Sequence, residues 1–409
     1  MTTRRGVLRS LVAAGGSGAL AACLDGETVA DVPQGDPANR PTRQHAWNER
    51  LRRDDDRNFL PQQHHVYLYL NYRGDGIEAD RETVETALVD LETAFEASHR
   101  GLLFTLGYSA AYFEERGRPV DLPHPESIVP GENVSLDDAD ALLHLASDTA
   151  HAVLEAEEAL FGDRETANDV NVTDLSDVFA VERRRTGFFG AGKPSQRKHL
   201  NGLPADQRRP NPVPDEAPLF MGFRSGFRRN QATEDRVTIQ EGRFAGGTTQ
   251  HVSGIKLNLT SWFDLDGDTQ VAKMFDPDLT FDDIGEAGTN LADHNGVTDQ
   301  TDTDLVETAN SDHIVGHAQK VARVREDGRP PIIRRDVNSD DLGEAGIVFV
   351  ALQRDIEDFV RTRQAMTGRD VVGEGGVGDE VNNGILEYIQ TRHRGNFLIP
   401  PREKRSLPV

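Results

Sequence analysis

The chain has 409 residues, with 69 acidic side chains against 45 basic ones and a formal net charge of -24. Such a surface repels nucleic acid, itself an array of negative charge. The single cysteine, Cys23, excludes an intrachain disulfide, so the fold must rest on its core. Aspartate is abundant and lysine scarce, as a protein needs to stay hydrated in concentrated salt. A halophilic origin is therefore expected.

In chain order, the first feature is Thr3-Arg4-Arg5-Gly6-Val7-Leu8, followed by a short apolar run that closes with Leu20-Ala21-Ala22-Cys23. A twin arginine, a modest apolar stretch and a small-residue exit predict a twin-arginine export signal over 1–23. The run is too short and too glycine-rich for a transmembrane helix. Its Leu-Ala-Ala-Cys box resembles a lipoprotein signal, in which Cys23 is lipidated and anchors the protein at the external face of the cell membrane. Residues 24–58 carry Pro33, Pro37, Pro41, many charges and no apolar periodicity. They predict a disordered tether.

The N-terminal domain is expected over 59–205. Residues 64–72 read as an apolar strand. A helix follows over 81–98, with Val84, Leu88, Leu91 and Phe95 on one face. Strands are predicted at 101–108, 140–147 and 179–187, and a helix at 150–161. This β-α-β-β-α-β order is the split, ferredoxin-like arrangement. The C-terminal domain, 206–409, repeats the plan. Strands are expected at 249–259, 331–337, 346–352 and 395–399, and a helix at 356–366. His317 falls in a helical or loop segment. The fold class is therefore α+β, two tandem ferredoxin-like domains with antiparallel sheets and helices on the outer faces.

Several features have bland readings. Asp264-Leu265-Asp266-Gly267-Asp268 starts like a calcium loop but lacks the Glu at position twelve, so an acidic turn is expected. His144 and His151 are expected at the surface. Arg183, Arg184 and Arg185 form a basic triplet that would pair local carboxylates or the acid groups of a bound ligand. Gly373 to Gly378 lacks the Lys-Ser/Thr of a phosphate loop. His313 and His317 could form an i, i+4 zinc pair, but no Glu stands between them and no third ligand is evident.

Three pieces stand in order: His313-Ile314-Val315-Gly316-His317, then Pro331-Ile332-Ile333-Arg334-Arg335-Asp336, then the apolar strand ending in Gln353-Arg354-Asp355. That order resembles the haem-binding half of dye-decolourising (DyP-type) haem peroxidases. Further pieces cover nearly the whole mature chain. Met221-Gly222-Phe223-Arg224-Ser225-Gly226-Phe227 is similar to the family's Gly-x-x-Asp-Gly signature. Leu386-Glu387-Tyr388 and Phe397 to Pro401 resemble its closing strand and tail. The resemblance implies heme b as cofactor, with His317 as axial iron ligand and His313 as the competing candidate. It implies a distal Arg334 that stabilises charge as peroxide splits. Gly222, Phe223, Gly226 and Asn383 would line the haem. The substrates would be hydrogen peroxide and a small-molecule reductant, and a homo-oligomer is compatible with it.

Two departures stand out. Ser225 replaces the signature's aspartate, and a hydroxyl cannot serve as the base, although it could orient a water. Asn383 replaces an acidic residue expected to hydrogen-bond the axial histidine, with Asp379 and Glu380 close enough to substitute. Should peroxide nevertheless be split quickly, the acid–base group would be sought in Glu234, Asp235 or a water held by Arg334. Arg335 alternates to the other face, solvated or paired with Asp336. The expectation is an exported, membrane-tethered peroxidase. The alternatives are a haem-handling protein with little peroxidase activity and a haem-free binding module at the cell surface.

The charge leads to a direct test. At molar salt the Debye length falls to about 3 Å, so self-repulsion among surface carboxylates is screened. The melting temperature should rise from low to molar salt. A flat or falling trend would remove the halophile reading.

Overall fold

The computed structural model describes residues 31–74, 76–129, 132–162, 164–197, 213–297 and 304–409. The export signal, Cys23 and the first part of the expected tether lie outside these residues. No helix among the described residues is long and apolar enough to cross a membrane.

The N-terminal half is built from β1 (His64–Tyr72), α1 (Ile77–Ala94), β2 (Leu103–Tyr108), β3 (Ala141–Ser147), α2 (Ala150–Phe161) and β4 (Phe179–Phe188). The strands pair antiparallel in the order β4-β1-β3-β2. Alternation along β1 decides the layers. Val66, Leu68 and Leu70 pack with Val84, Leu88 and Leu91 of α1, while Tyr67 and Tyr69 point the opposite way. Helix α1 stops at Ala94, four residues before its expected end. Phe95 turns extended there and its N–H closes on the Leu91 carbonyl.

The C-terminal half contains β5 (Thr248–Leu257), α3 (Leu305–Asp312), α4 (His317–Ala322), β6 (Ile333–Arg334), β7 (Val337–Ser339), β8 (Gly346–Gln353), α5 (Ile356–Met366) and β9 (Ile389–Ile399). Its antiparallel order is β7-β8-β5-β9, with β6 also on β8. Both halves are thus ferredoxin-like. The strand expected over 331–337 is split, because Arg335 and Asp336 interrupt it between β6 and β7. Strand β9 begins six residues before its expected start, since Gln390, Arg392 and Arg394 obscure the apolar pattern there.

The two sheets are joined at both edges. Asn338 of β7 bridges Phe188 of β4, and Leu398 of β9 bridges Tyr108 of β2. Between the sheets lies a shared core that includes Tyr67, Tyr69, Val252, Val348, Val350 and Phe397. A buried amide seals each seam. Asn338 donates to the carbonyls of Phe188 (3.2 Å) and Pro218 (2.8 Å) and accepts from Phe220 N–H at 2.8 Å. Gln44 donates to the carbonyls of Leu106 (3.2 Å) and Pro400 (2.9 Å) and accepts from Leu106 N–H at 3.0 Å.

Gln44 belongs to the segment expected to be a disordered tether. From residue 31 onward that expectation is corrected: Val32, Gln44, His45, Trp47 and Asn58 are buried. The indole N–H of Trp47 donates to the Gln44 carbonyl at 2.8 Å, and its ring meets the Arg335 guanidinium carbon at 4.4 Å. Buried residues contributed one at a time between prolines leave no periodicity to read. Trp47→Ala should therefore cost about 3–5 kcal/mol. In a denaturant titration the midpoint should fall with little change in slope. An unchanged midpoint would contradict the structural role of this segment.

Candidate functional site

A cavity opens on the face of the C-terminal sheet turned away from the shared core. It holds about 1180 Å³ of empty space, part of it continuous with solvent. The period-two pleat selects its floor: Ile347 and Phe349 of β8 face it, while Val348 and Val350 enter the inter-sheet core. Helix α5 contributes Phe359, Arg363 and Met366, and helix α4 contributes His317.

His317 is the first residue of α4. The N-cap is Gly316, where a Cβ would stand 2.0 Å from the Phe275 carbonyl oxygen. Only glycine lets α4 start this close to that backbone. The His317 imidazole is half-buried, and its buried Nδ1 has no hydrogen-bond partner. Burial, followed by the positive charges of Lys320, Arg334 and Arg363, pushes its pKa down to about 3. The ring is neutral at ordinary pH, the form an iron ligand requires.

From another wall come Arg334 and Asp336, two residues apart on one face of the β6–β7 segment. Arg334 is fixed through its backbone: its N–H donates to Gln231 Oε1 at 2.7 Å and its carbonyl accepts from Gln231 Nε2 at 3.1 Å. Arg335 does alternate to the opposite face, but it is neither solvated nor paired with Asp336. It is buried, donates to the His45 carbonyl at 2.8 Å and lies 3.7 Å from Glu234. Asp336 instead accepts a hydrogen bond from the Ser225 hydroxyl at 3.2 Å.

Phe223 and Ser225 line the cavity with Arg334 and His317, whereas Gly222, Gly226 and Asn383 do not. Gly222 and Gly226 take positive φ (90° and 80°), turns that aim the intervening Phe223 and Ser225 inward. His313 caps the C-terminus of α3 at the surface, with Nδ1 2.7 Å from the Gly375 carbonyl. His313 thus closes α3 and His317 opens α4, so the two are not an i, i+4 pair on one helix. Among the described residues no cluster of His, Cys, Asp and Glu could hold a metal by itself.

Asn383 does not act as expected. It is fully buried, and its amide donates to the carbonyls of Thr367 (2.8 Å), Gly378 (3.2 Å) and Asp379 (3.1 Å). Its Oδ1 accepts from the buried amine of Lys320 at 2.5 Å. These bonds engage both ends of its amide, and none of them reaches His317. Asp379 and Glu380 are exposed and do not substitute for it. Burial, with Arg363 and Arg323 nearby, holds the Lys320 pKa well below its ordinary value.

Other expectations resolve simply. Glu234 backs Arg335, and Asp235 pairs with Arg43 at the surface at 2.5 Å; neither lines the cavity. His144 is buried, 2.9 Å from His65 and stacked on Tyr67, which corrects the surface assignment. His151 is half-buried and reaches Glu155 at 3.1 Å. Arg183 pairs with Asp137 and Arg184 with Glu157, the local-carboxylate reading. Asp266 caps a helix through Thr269 N–H at 2.9 Å, as an acidic turn would. Cavity residues that sequence reasoning missed are Asp336, Phe359, Arg363 and Arg394. Of these, only Asp336 had a usable signal, its i+2 spacing from Arg334. Arg363 and Arg394 share Glu132 at 2.7 Å each, a contact from the distant N-terminal half.

The fold is that of DyP-type proteins of known structure. The chain resembles a dye-decolorizing peroxidase from Bacteroides thetaiotaomicron at 15% identity and TM-score 0.54, covering 88% of this chain and 98% of that one. A DypB variant from Rhodococcus jostii in complex with heme matches at 16% identity and TM-score 0.53, over 85% and 95% of the two chains. The encapsulated DyP-type peroxidase from Mycobacterium smegmatis matches at 16% identity and TM-score 0.52, over 91% and 98%. Identities this low speak for the fold alone. No curated protein matches. Residues 61–401 match the model of a family of unknown function, DUF7405, and the chain belongs to that family.

The buried histidines give a pH prediction. Burial first of all lowers the pKa of His45, His64, His251 and His317 to about 3 and of His65 to about 4, and sets His144 well below its usual value. Folded pKa values below the unfolded value of about 6.5 mean stability present above pH 6.5 and lost as pH falls towards 3–4. Thermal midpoints should drop continuously below about pH 6.5. A plateau extending down to about pH 4.5 would contradict the buried, neutral assignment.

Proposed function

We propose that this chain is an exported DyP-like haem peroxidase, using hydrogen peroxide to oxidise a small-molecule donor. The observation that carries this reading is one apolar cavity with a half-buried neutral imidazole on one wall and the Arg334 guanidinium with the Asp336 carboxylate on another. The residues fit a haem. His317 would hold the iron, with its Nδ1 unengaged and its ring neutral. Phe223, Phe349, Phe359 and Met366 would keep water from the macrocycle. Haem of the b type, when bound, supplies the redox chemistry of peroxide reduction. Arg334 contributes a fixed positive charge where negative charge develops. The twin-arginine signal and lipidated Cys23 would deliver the loaded protein to the outer face of the membrane.

A second reading, a haem-handling protein with little turnover, is favoured by Lys320 and Asn383. A carboxylate bonded to His317 would raise its basicity; here a buried amine and amide, Lys320 and Asn383, occupy this neighbourhood. Peroxide-dependent oxidation of a dye separates the two readings.

Titration with haemin should saturate at one haem per chain with an intense absorption band near 400 nm. His317→Ala should abolish stoichiometric binding while leaving a soluble fold, and His313→Ala should bind normally. Full haem occupancy in the His317 variant would overturn the ligand assignment.

A further inference from the structure

Position 225 carries no base, yet the cavity is not without one. Asp336 is the only carboxylate among the described residues lining it. Its Oδ2 accepts from the Ser225 hydroxyl at 3.2 Å, so it stands beside the position from which a signature aspartate would project. Among the described residues no group bonds its other oxygen. It shares one face of the extended β6–β7 segment with Arg334, two residues away, so base and fixed positive charge arrive on one backbone. The remaining candidate acids are engaged elsewhere, Glu234 beside Arg335 and Asp235 on Arg43.

We propose that Asp336, oriented by Ser225, is the acid–base residue for peroxide in this chain. The required carboxylate lies not in the glycine-flanked loop but in the link between β6 and β7, and Ser225 is its positioning residue. Asp336 takes the proton from the peroxide oxygen that is retained and returns it to the other oxygen. The O–O bond breaks, and that second oxygen leaves as water, carrying its own proton and the returned one. A haem held in the cavity would supply the two electrons that this cleavage consumes and would accept the remaining oxygen. A hydroxyl at 225 could not hold the proton between these events, whereas a carboxylate can.

This inference rests on the haem reading, so the test separates the two. Haem-loaded natural protein, Asp336→Asn, Ser225→Ala and the double variant Ser225→Asp with Asp336→Asn are compared. Rapid mixing with peroxide measures the rate of the haem absorption change. Mixing with hydrogen cyanide, which must also give up a proton on binding but is not turned over, provides a second readout independent of activity. Asp336→Asn should keep one haem per chain and slow both reactions by about 10²–10⁴-fold, the range of general acid–base help. Ser225→Ala should slow both by a smaller factor, and the double variant should recover most of the natural rate. Asp336→Asn within twofold of the natural protein in both reactions overturns the assignment of Asp336 alone. If Asp336→Asn does not fold, Ser225→Ala decides: natural rates in that variant overturn the pairing. A natural protein that binds no haem overturns the proposed function, and this assignment with it.

Discussion

The cavity depends on a charge buried behind it. Arg335 sits between the two halves, its guanidinium under Trp47 and bonded to the His45 carbonyl, with Glu234 at 3.7 Å. Burial lowers its pKa to about 10, with the Glu234 charge opposing the shift, so it stays cationic at ordinary pH. Removing one partner of such a buried group is costly, which pins it in place. Because side chains alternate along extended backbone, pinning Arg335 to the inner face commits Arg334 and Asp336 to the outer one. The N-terminal segment thus sets the aim of two polar side chains in a pocket it does not line.

Much of the architecture was legible because periodicity and burial agree. The helix at Ile356–Met366 and the strand at His64–Tyr72 have the bounds expected of them, and both halves close as ferredoxin-like units. What escaped is what periodicity does not encode. Trp47 and Gln44 are buried one residue at a time among prolines and charges. The joining of the two sheets rests on single bridges at Asn338 and Leu398, and no local pattern announces a seam. His144 looked superficial beside a helix start, yet it packs on Tyr67 under a neighbouring strand.

The site was legible by residue type but not by pairing. Phe223 and Ser225 on one side, and His317 and Arg334 on the other, meet in one cavity from two segments more than ninety residues apart in sequence. Their partners were misjudged because side-chain contacts are tertiary facts. Arg335 was expected to be solvated or paired with Asp336, whereas Asp336 meets Ser225 in the pocket. Asn383 was expected behind the histidine and instead satisfies three carbonyls and Lys320. The two sides of the cavity therefore differ in kind. One keeps a carboxylate beside an arginine, and the other holds a neutral imidazole with no acidic partner.

The central claim is that this cavity holds one haem between those two sides. An experimental structure of the protein saturated with haemin tests it most directly. The account predicts one haem per chain within the cavity, its iron on the His317 imidazole and its opposite face turned to Arg334 and Asp336. Haem bound at His313 or elsewhere on the surface, with the cavity closed, would contradict it.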